Sequence, residues 1–325
     1  MDERRPGSAV TPSVAFVASL LLGPAPVAGR YLLLDLVATG GMGSVWRARD
    51  RRTGRVVAVK LLRHEEAHHD GLLRFVREQA VRIDHPHVLA PSGWAAHDDL
   101  VAFGMDLCRG GSVQAILADH GPLPSAYVAV LLDQLLAGLE AVHAAGVVHR
   151  DLKPGNLMLA PTGTGRPHLR IGDFGVAALL DDVRLTRVPG PVGTDGYAAP
   201  EQERGDPPDP RQDLYAVGAV GLALLTGSPA SEPPPDPLRP LLMSLTRPDP
   251  DDRPRDAAAA RALLRQAGVP ARAPWQLEPG APCVPDRYAD RPTPRAPLMA
   301  AAARVVGLLL TAALLVSLGV WILDP

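Results

Sequence analysis

The amino-acid sequence predicts an α+β protein of two unequal lobes, and three observations carry that prediction. Short strand-like runs dominate the first third of the chain and bracket a glycine-rich stretch, Gly40-Gly41-Met42-Gly43. One helical pattern, Asp70–Ile83, interrupts them. After Ser112 the chain turns helical and contains two long apolar helices.

The elements follow in order. Tyr31–Val37 and Val45–Arg49 read as strands on either side of the glycines, and the turn Arg51-Arg52-Thr53-Gly54 leads into the valine-rich strand Arg55–Leu62. Over Asp70–Ile83 the apolar residues Leu72, Leu73, Phe75, Val76 and Ala80 recur at helical spacing, and His85-Pro86 stops the helix. Val88–Trp94 and Leu100–Met105 are the next strands. Ser125–Ala145 is a long apolar-periodic helix, and Asp213–Leu225 is so apolar that it is expected to be buried.

The composition narrows the function classes. With 46% hydrophobic and 21% charged residues, the 325-residue chain buries a core and is not globally disordered. A net charge of −2 argues against a nucleic-acid binder working through a broad basic field. Cys108 and Cys283 are far apart and form no C-x-x-C pair, as expected in a reducing compartment. All but two of the 33 basic residues are arginine; the lysines are Lys60 and Lys153, and the sole asparagine is Asn156.

Residues 1–29 read as a flexible leader. The apolar run Val14–Leu22 is short and is followed by Pro24 and Pro26, which makes it a poor export signal. Residues 30–268 form the folded domain. Residues 269–297 hold eight prolines and little apolar periodicity, the composition of a semi-rigid or disordered linker. Within the last segment, 298–325, the 19 residues Val305–Leu323 carry no charge. At 1.5 Å per residue they span about 28 Å, close to the hydrocarbon thickness of a bilayer, so a single transmembrane helix is expected. Arg287, Arg291, Arg295 and Arg304 precede it, and the positive-inside rule then keeps the folded domain in the cytoplasm.

Three short motifs are individually weak: the glycine cluster, Val57-Ala58-Val59-Lys60 and Asp173-Phe174-Gly175. The specific element is His149-Arg150-Asp151-Leu152-Lys153-Pro154-Gly155-Asn156, placed after the long helix with the other pieces in order around it. Together they resemble a eukaryotic-type (Hanks-type) serine/threonine protein kinase over residues 30–268. The Gly-Gly-Met-Gly loop and the apolar C-terminal segment resemble the bacterial membrane-anchored members.

The resemblance implies a two-lobed kinase fold, with a small antiparallel-sheet lobe carrying one main helix and a larger helical lobe. It implies transfer of the ATP γ-phosphate to Ser/Thr hydroxyls of proteins, with ATP and Mg²⁺ (or Mn²⁺) as cofactors. Lys60 would bind the α- and β-phosphates, tethered by Glu78. Asp151 would take the acceptor proton, Lys153 would neutralise the γ-phosphate, and Thr194 would bond Asp151 and Lys153. Asn156 and Asp173 would hold the metal ions. Ala38, Gly40, Gly41, Gly43, Val45, Ala58, Met105, Asp106 and Cys108 would line the nucleotide site, with Met105 as gatekeeper and Asp106–Cys108 as hinge. Glu201 of Ala199-Pro200-Glu201 would pair with Arg253, and Asp213 would brace the catalytic loop. The implied partners are ATP, protein substrates, the membrane and a second copy for autophosphorylation, with no nucleic acid.

The chain also departs from the family pattern. Ala38 stands where the first flap glycine is usual, which could stiffen the flap. Thr186 is the one hydroxyl residue between Gly175 and Gly193, so either it is the sole candidate there for an activating phosphate or the switch is absent and Asp181 or Asp182 stands in. Gly155 replaces an acidic residue that selects basic substrates in some members, and Gly227–Pro240 is short and proline-rich where a docking helix is common. A catalytically weak pseudokinase scaffold at the membrane is the alternative, and Ala38 is the one motif loss in its favour. His64-Glu65-Glu66-Ala67-His68 matches H-E-x-x-H, but Arg74 stands where a third histidine is needed, and a solvated connector explains it better than zinc.

Overall fold

The computed structural model describes residues 26–40, 43–62, 83–97, 100–173, 196–232, 235–277 and 279–291. Strands β1 (Tyr31–Gly40) and β2 (Gly43–Asp50) form a hairpin whose register closes on Gly40 opposite Gly43. Gly43 has a positive φ, and a Cβ there would collide with the Leu61 carbonyl on the next strand, so no larger residue fits. β3 (Val56–Leu62), β4 (Pro91–His97) and β5 (Leu100–Met105) complete an antiparallel sheet ordered β1-β2-β3-β5-β4. Tyr31, Ala48, Val57, Val59 and Ala102 bury one cluster on it.

The Arg30 guanidinium closes this lobe by donating to both oxygens of Asp50, at 3.0 and 2.8 Å. That contact holds the Asp50 carboxyl down at about 2.

The larger lobe begins with β6 (Gly111–Ser112) and α1 (Val113–His120). It is built around α2 (Ser125–Ala144) and α4 (Pro210–Thr226), with α3 (Pro200–Glu203), α5 (Arg239–Leu245) and α6 (Ala257–Ala267) around them. Asp209 caps α4 by accepting from the Arg211 N–H, which starts the helix three residues before the apolar run predicts. A small sheet of β6, β7 (Leu157–Leu159) and β8 (Leu169–Ile171) lies beside α1 and α2. α2 is long and apolar enough to cross a membrane, but it is mostly buried and serves as the core helix.

Val88 and Leu89, predicted to open a strand, instead bridge β8. Leu89 N–H donates to Ile171 and Ile171 N–H donates to His87, so the chain entering β4 is bonded to the larger lobe.

The expected linker is packed over the part that is described. Trp275 is fully buried, meets Tyr127 edge-on at 5.0 Å, and donates its indole N–H to the Thr164 carbonyl at 3.0 Å. Val284 is also fully buried and exchanges both backbone hydrogen bonds with Gly163. Prolines suppress a periodic pattern, but isolated anchors between them still bury apolar area. The expected transmembrane stretch Val305–Leu323 and most of the Asp70–Ile83 helix lie outside the described residues.

Candidate active site

Lys60 sits on β3 opposite Val45 and Phe103 and is 7% exposed. Its ammonium donates to Asp173 Oδ1 at 2.9 Å, across the cleft between the lobes. Asp173 has φ 57°, one of three non-glycine residues with positive φ among the described residues. The next is Arg150, φ 63°, inside the catalytic loop. Such conformations cost on the order of 1–3 kcal/mol and persist only where surrounding contacts over-determine them.

Those contacts converge on Asp213, which is wholly buried on α4. Its Oδ1 accepts from the Arg150 backbone N–H and its Oδ2 from that of His149, both at 2.8 Å. His143, at the end of α2, reaches Oδ2 as well, at 2.8 Å. A buried carboxylate with three donors is satisfied, and it fixes the backbone just before Asp151. From the other side Gln202 donates to the Arg150 carbonyl at 2.7 Å.

His149 is fully buried and links the two halves of the site. The Asp151 N–H donates to its Nδ1 at 3.2 Å, which leaves Nε2 as the N–H that donates to the Gly172 carbonyl at 2.9 Å. Gly172 N–H in turn donates to the Asn156 carbonyl at 2.8 Å. The peptide preceding Asp173 is thereby tied to both ends of the loop.

Asp151 itself is clasped. Lys153 Nζ donates to Oδ1 at 2.9 Å and Asn156 Nδ2 to Oδ2 at 2.9 Å, while the same amide donates to the Asp151 carbonyl at 2.7 Å. With both acceptors on its nitrogen, the Asn156 amide turns its oxygen the other way, free to ligate a cation. Asn156 Oδ1 and the Asp173 carboxylate are hard oxygen donors suited to Mg²⁺, and the ammonium groups of Lys60 and Lys153 suit phosphate oxygens. Among the described residues there is no group of three or more His, Cys, Asp or Glu that could hold a metal ion.

The described residues expected at the nucleotide site are placed as follows. Ala38 and Gly40 pair with Val45 and Gly43 in the hairpin, and Ala58 on β3 faces Met105 at the end of β5. Asp106 is pinned by Arg170 of β8 at 3.0 Å and by Arg55 at 4.0 Å, a bridge the sequence did not suggest. Cys108 is buried, and desolvation pushes its thiol up, against reactivity. Glu201 and Arg253 pair as expected. Gly41, Glu78, Thr194, Thr186 and His64–His68 lie outside the described residues. Three supports were missed from sequence: His143 on Asp213, Gln202 on Arg150, and the His149–Gly172 link. His149 stood in the motif, but its partner is distant in the chain.

The sequence and the fold are similar to those of known proteins. The family profile described as protein kinase domain matches residues 31–239. Serine/threonine-protein kinase PkaA of Streptomyces coelicolor is 38% identical over 272 residues, covering 73% of this chain and 50% of that protein. Serine/threonine-protein kinase PknA of Mycobacterium tuberculosis is 36% identical over 209 residues, covering 62% and 48%. Serine/threonine-protein kinase pkn3 of Myxococcus xanthus is 34% identical over 273 residues, covering 74% and 50%. The chain thus spans about half the length of these relatives. Among solved structures, the crystal structure of Rad53 1-466 in complex with AMP-PNP superposes with a TM-score of 0.59 at 23% identity, covering 72% of this chain and 64% of that one, a likeness of fold.

Proposed function

The chain belongs to the protein kinase family, and we propose on that premise that it transfers the γ-phosphate of ATP to Ser/Thr hydroxyls of proteins, itself included. The observation that carries this reading is the clasped Asp151, with Lys153 and Asn156 both within 2.9 Å of its carboxylate, together with the Lys60–Asp173 pair.

Each group has a task that its position supports. Asp151 accepts the proton of the attacking hydroxyl, oriented by the Asn156 amide. Lys153, bonded to the same carboxylate, offers an ammonium to the transferring phosphoryl group. Lys60 would exchange Asp173 for the α- and β-phosphates, and Asp173 with Asn156 Oδ1 would hold Mg²⁺. The metal ion, when bound, neutralises phosphate charge and aligns the leaving group. The β1–β2 hairpin would cover the phosphates with backbone N–H groups. Glu78 and Thr194 would tether Lys60 and bond Asp151, respectively.

We place this activity at the cytoplasmic face of a membrane, on the strength of the uncharged stretch Val305–Leu323 and the arginines before it. A second copy of the chain is the first protein substrate expected.

Incubation of the full chain with Mg-ATP labelled at the γ-position tests the reading. Label incorporation into the chain or a generic acceptor protein, lost in Asp151→Asn and on chelation of divalent cations, is expected. No transfer by the wild-type chain to either acceptor overturns it in favour of a scaffold. Retention in the membrane pellet after alkaline carbonate, lost on deletion of 305–323, tests the location.

A further inference from the structure

Beyond the buried Trp275, the chain leaves the larger lobe and reaches the smaller one. Val284 pairs with Gly163 and packs on Gly110, directly after the hinge. A Cβ at Gly110 would lie 2.6 Å from the Val284 side chain, and one at Gly111 would lie 2.7 Å from Arg287, so these two glycines provide bare backbone for the crossing segment. Asp286 pairs with Arg109 at 2.6 Å, and Arg287 pairs with Asp119 of α1 at 2.7 Å. The Arg287 N–H donates to the Arg109 carbonyl at 2.9 Å.

Within a few residues the contacts change lobe. The Tyr288 ring takes two cation contacts, its centroid lying 5.7 Å from the guanidinium carbon of Arg47 on β2 and 5.3 Å from that of Arg291. Arg291 donates to Asp35 of β1 at 3.2 Å, and its carbonyl accepts from Arg47 at 3.4 Å. Arg47 and Asp35 are register partners bonded to each other at 2.8 Å, and Arg47 is 5% exposed.

We propose that Val284–Arg291 is an intramolecular strap that sets the angle between the lobes, with Tyr288 and Arg291 as positioning residues for the glycine-rich hairpin. β1 is an edge strand, so the sheet restrains the hairpin from one side only. The strap supplies the other restraint, gripping Asp35 and Arg47 from a base fixed beside the hinge. Because this hairpin ends at Gly40–Gly43, its tilt changes how well the phosphates of a nucleotide are covered more than it changes the transfer step. A displacement of the chain beyond Arg291 is passed through Tyr288 to the flap.

The inference rests on the kinase reading for its kinetic consequence, and its test has a readout that does not. In the full chain, Tyr288→Ala combined with Arg291→Ala is expected to raise KM for ATP about five- to tenfold with kcat within about twofold, the scale of one ring–cation contact and one half-exposed ion pair. Amide hydrogen exchange of β1 and β2 should quicken by about tenfold while α2 and α4 stay unchanged. Tyr288→Phe and Arg291→Lys should keep wild-type values, since ring and charge are preserved. Unchanged exchange in the hairpin, or faster exchange spread evenly through both lobes, overturns the strap; so does an unchanged KM in an active enzyme. If the wild-type chain transfers no phosphate, the kinase reading fails, and hairpin exchange alone decides the strap.

Discussion

Arg253 and Glu201 form a two-pronged ion pair, Nη1 to Oε1 at 2.6 Å and Nη2 to Oε2 at 2.8 Å, with the arginine side chain wholly buried and the glutamate 5% exposed. Arg253 also donates to the carbonyls of Arg247, Pro248 and Arg211, so every part of the guanidinium is engaged. The pair pins the start of α3, and Gln202 next to it holds the Arg150 carbonyl. Removing one partner leaves a buried charge unmatched, so Glu201→Ala should cost about 3–5 kcal/mol. Urea unfolding checks this. The double variant Glu201→Leu with Arg253→Met removes the unmatched charge but should recover only part of the loss, because the carbonyls of Arg247, Pro248 and Arg211 lose their donor.

Lys60→Arg is conservative by the habits of a chain that uses arginine almost everywhere else. On β3 the ammonium meets Asp173 in a buried position where a wider planar head does not fit equally well. The expected outcome is a loss of about a hundredfold or more in kcat, the scale of misplacing one fixed charge. The melting temperature should stay within a few degrees of wild type.

Asp213→Asn tests how the loop is held. Asparagine keeps one acceptor oxygen but turns an NH₂ group toward backbone donors of His149 or Arg150. An unmet buried donor costs about 1–3 kcal/mol, and where it is the Arg150 N–H the left-handed backbone there loses a contact that holds it. Unfolding free energy should drop by about 2–4 kcal/mol, with kcat falling further than KM rises.

Acid should weaken the junction between the lobes. His85 and His87 lie with His168 in a row, ring centroids 5.6 and 5.1 Å apart, and Arg261 adds positive charge nearby. Burial holds both His85 and His87 below the ordinary 6.5. A lowered folded-state value means that the unfolded chain binds the proton first, so stability is full above about pH 7 and falls as pH drops below 6.5. Denaturation midpoints between pH 7 and 5 should decline, and His87→Gln should flatten the decline.

The chemistry was legible in the sequence to the extent that it is local. Asp151, Lys153 and Asn156 lie within six residues, so a motif displays their spacing, and the strands bearing Lys60 and Met105 announce themselves through valine and alternation. Sheet order was not legible, because β5 inserts between β3 and β4 through pairings that local pattern does not encode. The Asp106–Arg170 bridge joins residues 64 apart in sequence. The packed course of 269–291 escaped for another reason: Trp275, Val284 and Tyr288 anchor at irregular intervals set by the surface beneath them, and a search for periodicity passes over them.

The scarcity of lysine has a use outside catalysis. An acylating reagent that attacks side-chain amines finds two in the whole chain, Lys60 and Lys153, and each is engaged by a carboxylate of the cleft. Any acyl mark on a lysine is therefore a mark in the cleft, and its rate reports how open the cleft is. The Lys153 side chain is 29% exposed against 9% for the Lys60 side chain, so the first should label faster, and the ratio of the two marks serves as an internal gauge of lobe closure.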